Sequence, residues 1–278
     1  MKKHIFVLML CSSVGAYAAQ ANLALSEATQ TPDTPTTATT PISNERQMQI
    51  EDRLVSVFEN ATTEIQYGYI QNLHDGRGYT AGRSGFTSAT DDLLEVVTRY
   101  TAKNPHNPLA RLLPALRAVN GSASTAGLHD LPAAWQASAS DPSFITTQDE
   151  VNDALYRQPA RELSKQLGLR LPLSKAAIYE AGIQHGYGTD FDSVNQIAQR
   201  ATHQVGGTPA TGVDERIWLG TFLKERQRDL LNPANQATAK EWAASVDRAN
   251  AMLSIYNSGN LQLNGVIKLM VFGQTFVF

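Results

Sequence analysis

Ile50, Leu54 and Phe58 recur at i, i+4 and i+8, the spacing that lines up one face of a helix. That helix carries Glu59 at its end, beside Val57 and Phe58 at the edge of a core. The pattern then changes. His74-Asp75-Gly76-Arg77-Gly78-Tyr79-Thr80 is a polar, glycine-bracketed turn running into a short segment in which Tyr79, Phe86 and Thr87 favour extended structure. Two carboxylates thus fall on two different elements. Glu59, partly desolvated, should have a raised pKa and serve as an acid, while Asp75 on a solvated turn should stay ionised and serve as a base. Glycoside hydrolysis uses that division of labour. The same two residues also fit a solvated helix end and an Asx-turn, so the pair alone does not decide.

Downstream, the pattern is mostly that of capped helices. Thr90-Asp91-Asp92 opens one with Leu93, Leu94 and Val97 inward, and Asn107-Pro108 opens one through Leu112, Leu116 and Val119 that Pro114 should bend. Asp141-Pro142 starts a long acidic helix to Gly168, with a break expected at Pro159. From Pro172 to about Gly186 the small residues Ala176, Ala177 and Ala181 admit close neighbours, which marks a central buried helix. Helices over 190–205, 214–231 and 238–256 follow, then Leu261 to Ile267 reads as an Asn-Gly hairpin or an extended packing segment. The pattern predicts a predominantly helical domain with one small sheet.

The beginning of the chain belongs to a different class. Residues 1–18 hold Lys2, Lys3 and His4, an apolar run from Ile5 to Leu10, and Ala16-Tyr17-Ala18, the form of a secretory leader with an A-x-A cleavage site. A secreted, extracellular protein is expected. The apolar run is too short to span a bilayer and no later stretch is long enough, so no membrane partner is expected. Cys11, the single cysteine, leaves with the leader; bulky Leu10 before it argues against a lipoprotein signal. No disulfide or thiolate chemistry then remains. Residues 19–43, rich in Thr, Ala, Ser and Pro, read as a disordered linker, and 44–278 as one domain long enough to bury its own core.

Charge narrows the partners. Removing Lys2 and Lys3 with the leader leaves 21 basic against 26 acidic side chains, a formal charge of −5. No basic stripe for nucleic acid is present, and a mildly acidic surface suits a cationic polymer. The histidines at 4, 74, 106, 129, 185 and 203 form no H-x3-H or H-E-x-x-H pair. Gly76, Gly78, Gly82 and Gly85 lack the G-K-[ST] ending of a phosphate loop, and there is no G-x-S-x-G elbow. Hydrolysis without metal or cofactor is the expectation, by a monomer.

The whole string settles what the acid pair could not. Glu59-Asn60, Tyr67-x7-Asp75-Gly76-Arg77-Gly78-Tyr79-Thr80 and Gly85-Phe86-Thr87-Ser88 through Asp92-Leu93-Leu94-Glu95 resemble the signature of the glycoside hydrolase family 46 chitosanases. The resemblance continues through Leu112 to Leu116, Asn120 to Ser124, Ile178-Tyr179-Glu180-Ala181, His185-Gly186, Gly212 to Glu215, Phe222 to Arg226 and Gly259 to Asn264. It implies a mainly α, lysozyme-like, two-lobed α+β domain with a substrate cleft between the lobes, and endo-hydrolysis of the β-1,4 bonds of chitosan by inversion.

Carried over position by position, the resemblance makes Glu59 the general acid, Asp75 the general base and Thr80 the residue that holds the attacking water with it. Tyr69 and Arg77 line the cleft, Asp92 binds a glucosamine amine, and His185 touches substrate. As plain structure, Asp92 would be a helix cap and His185 a partner of helix C-terminal carbonyls. Glu180 and Arg226 belong to a buried network around the acid. Two departures stand out. The spacing from Glu59 to Tyr67 is about two residues shorter than the family's, and Ser245 stands where the family has an arginine before Val-Asp. Arg248, one turn further along the same helix, is the candidate replacement; without one, the acid's network is incomplete. The rival readings are a lysozyme-like enzyme acting on peptidoglycan and a non-catalytic polysaccharide-binding module.

Overall fold

The computed structural model describes residues 42–278 apart from 75, 237 and 238, and not the side chain of residue 241. The expected leader, the linker up to residue 41 and Asp75 lie outside the described residues.

Helix α1, Asn44–Asn60, starts where the Ser43 side chain accepts from the Arg46 N–H and stops at Ala61, whose φ of 51° is left-handed. It buries the Ile50, Leu54, Phe58 face and brings Glu59 inside in its last turn. Three short antiparallel strands follow in the order β1 (Ile70–Asn72), β2 (Tyr79–Ala81), β3 (Phe86–Thr87), with Thr80 opposite both Gln71 and Thr87. Around this sheet lie α2 (Asp92–Lys103), α3 (Leu113–Val119), α4 (Leu131–Ser138) and α5 (Pro142–Asn152), with β3 against α2, β1 against α4 and α2 against α5. Trp135 meets Phe144 edge-on at 4.8 Å, and its Nε1 donates to the Tyr67 carbonyl at 2.9 Å.

The other lobe is built on α7, Pro172–His185, in which every residue except Lys175 is buried. It packs against α1, α6 (Gln158–Leu167) and α8 (Val194–Val205). Its small residues allow this: a Cβ at Gly182 would lie 2.0 Å from the Tyr187 hydroxyl. Beyond α8, α9 (Glu215–Leu231) holds α10 (Ala239–Ala244) and α11 (Val246–Asn257), and α11 carries a hairpin, β4 (Lys268–Val271) and β5 (Gln274–Val277). One apolar core runs from Ile50 through Trp135 and Ile178 to Val271. The fold is the expected mainly α, lysozyme-like, two-lobed α+β arrangement.

Several local expectations are corrected. There are two small sheets rather than one, and the hairpin turns at Phe272-Gly273, both left-handed, not at Asn264-Gly265. The 261–267 stretch is instead a packing segment that buries Leu263 and Ile267. The long helix after Asp141 is broken ahead of Pro159, by a π-helical turn over Asp153–Arg157. Pro114 begins α3 instead of bending it, because a first-turn proline lacks no needed donor. The helix expected over 238–256 divides at Ser245, whose hydroxyl donates to the Trp242 carbonyl at 2.7 Å. α4 has no counterpart in the sequence reading.

Candidate active site

The site is built around the last turn of α1. Glu59 is 1% exposed, and its Oε1 accepts from Arg248 Nη1 at 2.7 Å. Its Oε2 is buried with no hydrogen-bond partner among the described residues. Burial pushes the Glu59 carboxyl up from the ordinary glutamate range; Arg248 offsets part of this, the nearby Glu180 charge adds to it, and Arg77 pulls the other way. A carboxylate at the negative end of a helix dipole is raised in the same direction.

Arg248 reaches this place from α11, with its guanidinium 5.4 Å from the centre of the Phe58 ring. Its other edge meets Glu180 on α7, with Nε 2.8 Å and Nη2 2.7 Å from Oε1. Arg226 on α9 closes on the same carboxylate through Nη1 to Oε2 and Nη2 to Oε1. Burial alone would raise Glu180, but the two arginines overcome it and hold its carboxyl below the usual range. Two buried glutamates that share Arg248 are thus driven in opposite directions. Glu180 is kept ionised and Glu59 is the one that readily holds a proton.

The network extends inward. Arg226 Nη2 donates to Gln184 Oε1 at 2.6 Å, and Gln184 Nε2 donates to Ser245 Oγ at 2.7 Å. Ser245 therefore holds the second tier, and Arg248 supplies the arginine that contacts both carboxylates. Gln184 was not singled out in the sequence; its signal is an amide one turn after Glu180 on a buried helix.

The polar turn contributes Arg77, whose charge acts on Glu59. His74, Gly76 and Gly78 all have left-handed backbones, and the His74 N–H donates to Asn72 Oδ1 at 2.9 Å. Gly78 is required: a Cβ there would lie 2.2 Å from Ser88 Oγ, the atom that receives the Tyr79 N–H at 3.0 Å. Asp75, between His74 and Gly76 in the sequence, lies outside the described residues. Thr80, on β2, is 1% exposed and its Oγ1 has no hydrogen-bond partner among the described residues. Arg77 is half-buried and close enough for its charge to act on Glu59. Tyr69 is half-buried just before β1, its hydroxyl donating to Gln71 Oε1 at 3.2 Å.

The other two expected substrate contacts, Asp92 and His185, are both buried. Asp92 is buried in the β3–α2 junction, where its Oδ1 accepts from the Thr87 N–H, Thr90 Oγ1 and the Leu93 N–H at 2.8–3.0 Å. It is a capping carboxylate, and the exposed acid beside it is Asp91. His185 is 1% exposed behind the network, with Nδ1 2.8 Å from the Asp192 carbonyl and Nε2 3.4 Å from Arg226 Nε. Trp242 packs on its ring edge-on at 4.8 Å. An N–H on Nδ1 and an acceptor on Nε2 satisfy both contacts, so His185 orients Arg226.

A second buried ion network was missed altogether. Arg157 pairs with Glu51 and Asp52 of α1, and Arg83 with Asp52 at 2.6 Å and with Asp149, which also accepts from the Tyr67 hydroxyl at 2.8 Å. The signal was present: Asp52 and Glu59 are seven residues apart, two turns along one face of α1. Among the described residues no group of three His, Cys, Asp or Glu could hold a metal ion, and no helix is long and apolar enough to cross a membrane.

The family model described as glycosyl hydrolase family 46 matches residues 53–267. A chitosanase of Bacillus subtilis is 47% identical over 226 residues, 81% of this chain and 82% of the relative. A Streptomyces chitosanase is 39% identical over 232 residues, 82% and 81% of the two chains. The solved structure of a Gynuella sunshinyii GH46 chitosanase in complex with chitotetraose superposes with a TM-score of 0.80 at 44% identity, covering 85% of this chain and 99% of that one. A native Bacillus subtilis chitosanase structure gives a TM-score of 0.80 at 45% identity, over 84% and 99%.

Proposed function

The chain belongs to glycosyl hydrolase family 46, and from that premise we propose that it is a secreted endo-chitosanase hydrolysing β-1,4 bonds between glucosamine units with inversion. Glu59 protonates the glycosidic oxygen, and Asp75, with Thr80 holding the water, removes a proton from the nucleophile on the opposite face of the sugar. The observation that carries the assignment is the asymmetry of the Glu59 carboxyl. One oxygen is fixed by Arg248, while the other is buried without a hydrogen-bond partner among the described residues, and its proton is favoured by desolvation. An acid so held is oriented before substrate arrives. Glu180, Arg226 and His185 position Arg248 and so act through it. Tyr69 and Arg77 stand at the edge of this site, placed to line the sugar path. The substrate follows from the relatives' activity, and a net negative surface would draw a polymer whose amines are protonated.

The test is a glucosamine hexamer digested by the wild type and by Glu59→Gln, read by reducing-end release and by proton NMR of the fresh products. Internal cleavage with the α-anomer appearing first, and no release by the variant, is expected. An initial β-anomer would overturn the role given to Asp75, and clearing of bacterial cell walls without chitosan cleavage would overturn the substrate.

A further inference from the structure

About 12 Å along α1 from Glu59, at the level of Glu51, the protein has a cavity of about 620 Å³ with an unusual charge. Arg157, Arg161, Lys165 and Lys175 line it, against one carboxylate, Glu51. Glu51 is already engaged: it pairs with Arg157 and accepts from Gln47 Nε2 at 2.9 Å. Of the other three cations only Arg161 has an acidic partner, and that ion pair is a long one. Arg161 stands 3.9 Å from the Asp153 carboxylate, and no ion pair or side-chain hydrogen bond holds Lys165 or Lys175 among the described residues. Lys165 suits the last turn of α6, where a cation meets the helix dipole favourably, but Lys175 is half-buried in the first turns of α7, where the dipole opposes it.

A second observation points the same way. Ser164, 4% exposed, lines this cavity, and its Oγ has no hydrogen-bond partner among the described residues. Buried hydroxyls without partners are rare. The rest of the wall is mixed, with Asn44 and Gln47 beside an apolar part from Met48, Ala160, Leu169 and the Tyr179 ring. On the far side of Arg157 a neighbouring cavity of about 660 Å³ has the reverse balance, with five carboxylates to three arginines, so the basic character belongs to this cavity and not to the region.

We propose that this cavity binds an oxyanion of the phosphate class, the charge held between Lys165, Lys175 and Arg161 and accepting from Ser164 Oγ, with any organic body against Met48 and Tyr179. The site is separate from the cleft of a chitosan-cleaving enzyme, and its ligand is opposite in charge to that polymer. Free anion and phosphorylated sugar share the recognition chemistry, so titration calorimetry on the mature protein uses pyrophosphate in one arm and a hexose 6-phosphate in the other. Saturable binding at one site is expected in at least one arm; tighter binding of the sugar phosphate identifies the apolar wall as part of the site. Lys165→Gln/Lys175→Gln should weaken it about tenfold or more, and Ser164→Ala a few-fold, both without change in chitosan hydrolysis. No saturable heat in either arm, or equal binding by wild type and the double variant, would overturn the proposal.

Discussion

Helix α1 carries two buried ion networks, and they are finished differently. At its middle, Glu51 has both oxygens engaged, by Gln47 and Arg157, and Asp52 Oδ1 takes both Arg157 and Arg83. At its end, Glu59 receives one hydrogen bond from Arg248 and keeps a buried oxygen unpaired among the described residues. An unpaired buried acceptor costs roughly 1–3 kcal/mol, and a fold that satisfies its other α1 carboxylates could have satisfied this one. The first network ties lobe to lobe, through Arg83 in the sheet region and Arg157 at the end of the π turn. The second holds Glu59 by one oxygen only. The contrast separates holding from acting, and it can be broken by substitution.

The largest effect falls on the acting side. Glu59→Gln and Asp75→Asn should each lower kcat/KM on a glucosamine oligomer by roughly 10²–10⁴-fold or more. Neither should destabilise the protein appreciably, because the amide at 59 still accepts from Arg248 and removes a charge that burial disfavours. Differential scanning fluorimetry beside the kinetics checks this; a large fall in Tm in Glu59→Gln would mean that Glu59 belongs with the holding network after all.

Next come the arginines. Arg157→Ala leaves Glu51 and Asp52 without their cation and should cost roughly 3–5 kcal/mol of stability, with kcat/KM of the remaining folded enzyme nearly unchanged. Arg248→Ala should cost a similar amount and also change the chemistry. Since Arg248 lowers the Glu59 pKa, its loss should move the alkaline limb of the pH–rate profile to higher pH, as the acid keeps its proton longer. Urea unfolding and a pH–kcat/KM profile of both variants decide it. A fully active Arg248→Ala with unchanged Tm would mean that the network does not depend on that guanidinium.

How much of this was legible from the chain differs between the two networks for a physical reason. α1, its buried face and the placement of Glu59 follow from local spacing. So do the caps at Asp141 and Asp214 and the small-residue face of α7, since neighbours within one element determine them, whereas Ser43, read as the end of the linker, caps α1. Arg248 and Glu59 are 189 positions apart, and Arg157 and Glu51 106 apart, so no local pattern records either pair. Ser245 looked like a gap because position along the helix was counted. The chain breaks there and restarts as α11, which aims Arg248 at Glu180 and Glu59. The π turn at Asp153–Arg157 and the shift of the hairpin to Phe272-Gly273 were hidden because tertiary packing, not local propensity, selects them.

A smaller effect separates the two glutamates that share Arg248. Glu59 has a folded pKa raised above its unfolded value, so the stability its proton contributes is complete below about pH 4.5 and is lost as pH rises through the folded value. Glu180 has the opposite sign, with stability present above about pH 4.5 and lost as pH falls through its lowered pKa. Asp229, pushed up to about 6 mainly by burial, falls in the same window as Glu59 and must be removed as a contributor. Tm measured from pH 4 to 8 should therefore decline less steeply in Glu59→Gln than in the wild type, with Asp229→Asn as the second background. An identical slope in both backgrounds would show that Glu59 is ionised throughout, against its role as the proton donor.

The smallest expected effect concerns Asp92, where motif and geometry point to different roles. By its place in the sequence it would hold a substrate amine; in the structure its Oδ1 already takes three donors at the β3–α2 junction, and the side chain is shut from solvent. Asp92→Asn keeps one acceptor oxygen but loses the charge that strengthens those bonds and meets the positive end of α2, a loss of about 1 kcal/mol. Tm should fall slightly, and KM for a glucosamine oligomer should rise less than twofold. Asp91, exposed and held to Asn120 by its N–H at 2.9 Å, is the acid beside it that solvent can reach. Kinetics at low and high salt read the difference, because contact with a protonated amine weakens as screening shortens to about 8 Å at physiological ionic strength. If Asp92→Asn raises KM strongly and abolishes that salt dependence while Asp91→Asn leaves both alone, Asp92 turns outward when substrate binds and the buried arrangement is its resting state.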